Sequence, residues 1–566
     1  MILRAIFATV AMLCSGAAAA QPHDMSKMTP MSMGMPPMPS IYGGQADKPG
    51  APVFTGLGDH HMPITASPEA QKFFDQGVKL TFGFNHAEAI RSFRQAARID
   101  LNCAMCWWGV AFSLGSNINM PMPDDAVIPA WLALQNAQAL ASKVSPREQA
   151  WIAALSRRYA ETRAGDRTKL NEAFAQAMGD LAHRYPDDLD AQTFWAEAMM
   201  DTQPWDYWQA DGQAPKGHGA QIVATLERVL LASPNHPGAL HLYIHAVEAS
   251  TTPERAEGAA DRLLKAMPNA GHVVHMPSHI YYRVGRYADA AAANELAAKV
   301  DEDYIAACKA QGFYPAGYYG HNIHFLWTSA EMEGRYQVAL DSARRLVKAV
   351  DAPRLARQLP LAELYNFTPT MTLLRFGKYR EVLAEPVPDK VLILDRAMSY
   401  YARGMAHANS GNLRAAMADR KALAKLQNVN LARYEAAGLP AGQMLQVALV
   451  SVDGEIARKS GDMPGAVQAF RKAMALERAL PYTESAYWHR PVSHLLGAVL
   501  LESGSPVEAE TVYRESLTHY RRDGWALKGL MMALKAQGKI EEGASVGAAF
   551  QDAWRRADTM IDGSRL

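Results

Sequence analysis

Histidine recurs in this chain at spacings that suit metal coordination. His241 and His275 stand 34 residues apart, as do His245 and His279, and Pro234 and Pro268 keep the same step. His321 and His324 repeat the spacing of His272 and His275, so seven of the 18 histidines fall between residues 241 and 324. Side chains three or four residues apart share one face of a helix. His241, His245 and Glu248 then form one stripe, His272, His275 and His279 a second, and His321, His324 and Glu331 a third. Packed helices lie about 8–10 Å apart and metal–nitrogen bonds are about 2.0–2.1 Å. Imidazoles from two adjacent stripes can therefore converge on one ion, and three stripes can hold one ion or two. Carboxylates at Glu248, Glu331, Glu197 or Asp201 could complete the shell or orient a ring from behind. Mixed ligation of this kind suits zinc, iron, manganese or copper. The competing reading is histidines that pack and hydrogen-bond between helices, or that grip an acidic peptide. None of the spacings is the His-Glu-x-x-His pattern of zinc proteases. No reaction class follows, although an ion with an open position would make Glu248 or Glu331 a candidate general base.

The elements that carry these residues read as helix, short turn, helix, almost throughout, with strand signals nearly absent. In the first clear unit, Gly77, Ala89, Phe93 and Ala96 alternate small and aromatic side chains. Small residues let paired helices approach, and Phe93 fills the space between them. Later units centre on Gly285-Arg-Tyr287, Gly334-Arg-Tyr336 and Gly377-Lys-Tyr379, then on Gly461 with Phe470 and Gly504 with Tyr513. Each Gly marks the turn from the first helix to the second. About 500 folded residues exceed what one core usually supports, and stacked repeats meet that limit because each buries surface only against its neighbours.

In period and small-residue positions, residues 67 to about 555 resemble the tetratricopeptide repeat family. The resemblance implies an all-α superhelix of helical hairpins, an α-solenoid, with loop insertions at 117–150 and 202–220. Leu101 stands where a repeat-ending proline is expected. The resemblance also implies that positions 2, 5, 9 and 12 of each first helix face a concave groove. Those positions are held by His241, His245, His272, His275, His279, His321, His324 and Glu331. More narrowly, His241-Leu-Tyr-Ile-His-Ala-Val-Glu248 with His272-Val-Val-His-Met-Pro-Ser-His279 resembles exported bacterial histidine-rich repeat proteins of unassigned function.

Three other constellations stand out. Cys103-Ala-Met-Cys106 opens a helix and lacks the following His of a haem-attachment site. A structural, oxidised pair is expected there, with Cys308 unpaired and buried. Pro204-Trp-Asp-Tyr-Trp208 lies in the second insertion, where it could roof the groove with Asp206 aimed inward, or simply pin a loop. Trp488-His489-Arg490, followed by His494, repeats the histidine theme near the far end.

Residues 1–20 read as a secretory signal, with Arg4, an apolar run from Ala5 to Leu13, and Ala18-Ala19-Ala20 before Gln21. The run is too short for a membrane span, so a periplasmic protein is expected. Residues 21–66 carry His23 and Met25, Met28, Met31, Met33, Met35 and Met38 among Ser, Thr, Pro and Gly. Without apolar periodicity this arm is expected to be disordered, and its thioethers suit Cu(I). The remainder divides, by repeats, into 67–200, a histidine-lined 201–350 and 351–566. Lys plus Arg equals Asp plus Glu, at 57 each, so no net field draws nucleic acid. Three functions fit: a solenoid that binds a transition metal in its groove, for metal handling or metal-assisted ligand recognition; a metal-dependent enzyme; or a metal-free scaffold for a protein or peptide partner.

Overall fold

A Cβ added at Gly77 or at Gly109 would meet the same aromatic ring, that of Phe93, at 2.5 Å. Phe93 is fully buried on the His86–Ile99 helix, which packs against Pro68–Phe82 on one side and Ala104–Ser113 on the other. Only glycine on both flanking helices leaves room for that ring. This is the small-against-aromatic pattern expected from sequence, and it recurs at Gly454 with Phe470 and at Gly497 with Tyr513.

The computed structural model describes residues 37–162 and 165–565. Among them there are helices and turns, with two isolated bridges, Asn117 with Met120 and Trp208 with Pro215, in place of strands. Local signals set the helix starts. Ser67, Asn85 and Asp188 cap the helices that follow them, and Ser145 with Glu148 forms a capping box. At the turns, Gly285 takes φ of 82°, and a Cβ there would lie 2.3 Å from the Arg521 carbonyl. No side chain fits that turn.

Two compact units divide the described chain. One comprises 37–280 and 296–319, the other 281–295 and 320–565. Each is a run of antiparallel helical hairpins, so the all-α solenoid expected from sequence is the fold observed. The division between the two units falls inside the histidine-rich stretch. The 117–150 insertion is itself helical, with Val127–Leu140 and the start of Pro146–Leu155. No helix among the described residues is long and apolar enough to cross a membrane.

Residues 37–66 correct the expectation of a disordered arm. They run along the first unit as a strap, bonded mainly through their own backbone. Gln76 donates to Pro52 O at 2.9 Å and accepts from Phe54 N at 2.8 Å. Asn269 donates to Thr55 O, and Glu148 accepts from Thr65 N. Sparse apolar side chains complete the fit, with Met38, Ile41, Tyr42, Leu57 and Met62 buried. Met38 is thus a core residue, while the signal segment, His23 and the other five methionines of the arm lie outside the described residues. Cys103 and Cys106 form a disulfide at a helix start, and Cys308 is free and half-buried.

Candidate metal centre

The Pro237–Val247 helix presents His241 and His245 on one face and packs against Pro68–Phe82. Glu248 follows directly at its C-terminal end. The short Gly271–His275 helix supplies His272 and His275, and Pro277–Val284 supplies His279. All six side chains are at most 2 % exposed. The first unit therefore brings together six of the predicted residues, but buried and not lining an open groove. Aromatic side chains account for the difference. Phe84 lies 4.5 Å from the His241 ring and stacks on His272 at 5.4 Å, while Tyr318 lies 4.5 Å from His272. Trp205 meets His245 edge-on at 4.9 Å. These covers were not read from sequence. Phe84 and Trp205 hold positive φ, 53° and 64°, an uncommon state for such bulky residues with no sequence signature.

Hydrogen bonds assign the ring protons. His241 Nδ1 lies 2.6 Å from the Phe82 carbonyl oxygen, which only accepts, so Nδ1 carries the proton. His245 Nδ1 donates to Glu248 Oε1 at 2.9 Å, and His279 Nδ1 donates to Glu248 Oε2 at 2.9 Å. Burial pushes the Glu248 carboxyl up, but His279 and His245 together hold it well below the usual carboxylate range. Glu248 is therefore an anion with both oxygens engaged, a group that positions two rings and not a free base. In neutral His241 and His245 the remaining nitrogen, Nε2, is bare. Those two bare nitrogens face each other at 3.1 Å.

Lone pair against lone pair is repulsive unless a cation lies between. A proton is disfavoured. Burial, with His245 close by, holds His241 well below its normal range, and burial lowers His245 despite Glu248. Two nitrogens on one tetrahedral metal stand roughly 3.3 Å apart, close to the separation found. His272 adds a third nitrogen, and the ligating atoms of His241, His245 and His272 all lie within 4.8 Å of one another. Neither ring nitrogen of His272 has a hydrogen-bond partner among the described residues.

The neighbouring pair behaves differently. His275 Nε2 lies 2.7 Å from His279 Nε2, and Ser278 Oγ approaches His275 Nδ1 at 3.4 Å. His275 can carry its proton on Nε2 and donate it to His279, an arrangement open to neither His241 nor His245. A second group, His60, Asp190 and His236, also has ligand-like spacing. There His236 Nδ1 accepts from Ala239 N as a helix cap, so its Nε2 holds the proton and donates to Asp190 at 3.2 Å. His60 Nε2 lies 3.0 Å from the same oxygen. That group fastens the strap and offers no bare nitrogen from His236.

The remaining predicted residues each have their own surroundings. Asp201 is ion-paired to buried Arg158 at 2.6 Å, and burial pushes both Asp201 and its neighbour Glu197 up. Asp206 does not point inward. It is half-exposed and paired with Lys216, while Tyr207 beside it is buried. His321, His324 and Glu331 belong to the second unit. There His321 meets Phe325 edge-on at 5.8 Å and His324 stacks on Trp327 at 5.1 Å. His494 is buried against Asp523.

No family model matches the chain, and no curated protein matches it. Solved structures of helical-repeat proteins align over most of its length. The human IFIT1 dimer with m7Gppp-AAAA is 12 % identical, covering 88 % of this chain and 92 % of that one, with a TM-score of 0.30. Yeast Tom70 is 12 % identical over 87 % and 93 %, at 0.28. The TPR domain of P58(IPK) is 12 % identical over 84 % and 99 %, at 0.23. Likenesses this distant say nothing about the site. The class rests on the chain's own helices, an all-α scaffold of stacked helical hairpins.

Proposed function

We propose that the chain binds a transition-metal ion through His241, His245 and His272, in metal handling or metal-assisted ligand recognition. The observation that carries this reading is the pair of bare Nε2 atoms facing each other at 3.1 Å, each fixed by a hydrogen bond on its far side. A carboxylate behind His245 is the usual support of a metal-ligating imidazole. Three neutral imidazoles favour zinc, copper or iron over manganese, which prefers oxygen ligands. Three protein ligands also leave a fourth position, where a transported ion is exchanged, a ligand docks or a water is activated. The leader-like first twenty residues make export part of the proposal.

The test is elemental analysis of untagged full-length protein, as purified and after reconstitution with copper, zinc or iron, beside a His241→Ala/His272→Ala variant. About one ion per chain, lost in the variant, is expected. An ion-free wild type after all three reconstitutions would sink this reading and the metalloenzyme one together, leaving a peptide-binding scaffold.

A further inference from the structure

The second unit holds two buried guanidinium groups that act on one carboxylate, Glu331. Arg375, at the end of the Thr368–Arg375 helix, is 1 % exposed, and Arg490, ahead of the Val492–Glu502 helix, is 4 % exposed. They are neighbours, because Arg375 Nη1 donates to the carbonyl of His489 at 3.0 Å. The carboxylate facing Arg375 is Glu331, 3.9 Å from Nε, too far for a hydrogen bond. Both Glu331 oxygens are buried without a hydrogen-bond partner, and burial pushes that carboxyl up to about 7. Arg490 acts on the same Glu331 carboxyl through its charge. Two buried guanidinium groups on one carboxylate leave a positive charge in excess, which is costly.

The same cluster holds donors with nothing to donate to. Arg375 Nε, the Tyr401 hydroxyl, Trp488 Nε1 and His489 Nδ1 are buried and lack partners among the described residues. The rings of Tyr401 and Trp488 lie 5.1 Å apart, and those of Trp488 and His489 6.3 Å apart. Two fixed cations, several idle donors and aromatic walls suit an oxyanion, which the planar guanidinium grips with two bonds at once. We propose that this cluster binds a small oxyanion, either inorganic phosphate or the carboxylate of a small organic acid, with Arg375 and Arg490 as its charge partners. The site is independent of the histidine centre.

Calorimetric titration of the full chain in Tris chloride, once with sodium phosphate and once with sodium benzoate, tests the proposal. One saturable site is expected for at least one of the two, and the tighter arm identifies the source. Arg490→Met and Arg375→Met should each weaken that binding about 30-fold or more, and Arg490→Lys should retain part of it. His241→Ala/His272→Ala should leave it unchanged. Because Arg490→Met removes the excess buried charge, its melting temperature without anion should equal or exceed that of the wild type. If neither anion binds the wild type, or if both Met variants and Arg490→Lys bind as the wild type does, the cluster is a water-filled structural feature and the proposal falls.

Discussion

Glu248 offers the sharpest perturbation, because its two oxygens hold two rings and an amide can hold only one in the same way. In wild type, Nδ1 of His245 and Nδ1 of His279 each lie 2.9 Å from a carboxylate oxygen. In Glu248→Gln one ring keeps an oxygen acceptor, while the other faces an NH2 group and must shift its proton to Nε2. If His245 keeps the oxygen, its Nε2 stays bare and the metal set survives without the negative charge behind it. Loss of such support costs about 10–100-fold in metal affinity, or about 1.4–2.8 kcal/mol. Glu248→Ala removes both acceptors and leaves two buried N–H groups unpaired, at about 1–3 kcal/mol each. Zinc affinity would be read by competition with a chromophoric chelator, and stability from urea melts of the metal-free forms. The expected pattern is a modest affinity loss with near-normal stability for Gln, and a larger loss of both for Ala. Unchanged affinity in both variants would refute the claim that Glu248 sets the rings, even if wild type binds zinc.

Two further outcomes test the second unit's electrostatics and the helix packing. Burial pushes the Asp395 carboxyl up to about 7, so its stabilising contribution is complete below about pH 4, where the unfolded group is also protonated, and declines as pH rises toward 7. Asp395→Asn should escape that decline, and its stability relative to wild type should grow by about 3 kcal/mol between pH 4 and pH 7; a difference independent of pH would contradict it. Gly109→Ala puts a Cβ 2.5 Å from the Phe93 ring, which Gly77 hems in from the other side, and should cost about 1–3 kcal/mol. Adding Phe93→Leu should recover part of that loss, and a fully additive double variant would show that the ring is not the obstacle.

The repeats were legible because their code is local. A glycine at a left-handed turn, a small residue where two helices touch and a fixed period of 34 residues each constrain the chain through near neighbours. The strap was not legible. Its 37–66 backbone is held by Gln76, Asn269 and Glu148, which are distant in sequence, and its few buried side chains follow no period. The same limit explains Asp206 and Tyr207. A loop gives no alternation from which to tell the inward residue from the outward one, and the shorter acid found Lys216 in solvent.

Spacing identified the histidine stripes but could not rank them, because every stripe carries imidazoles three or four residues apart. What separates them is the partner on the far nitrogen. Phe82 O and Glu248 force the protons of His241 and His245 outward and leave two bare nitrogens facing inward. Ala239 N does the reverse to His236, a residue that sits directly before Pro237 and caps the helix. Metal-ligand spacing is thus shared by these two clusters of the first unit, and of the two it is His241, His245 and His272 that have the electronic arrangement a cation requires. The choice rests on a backbone carbonyl and a cap, neither of which a list of histidine positions contains.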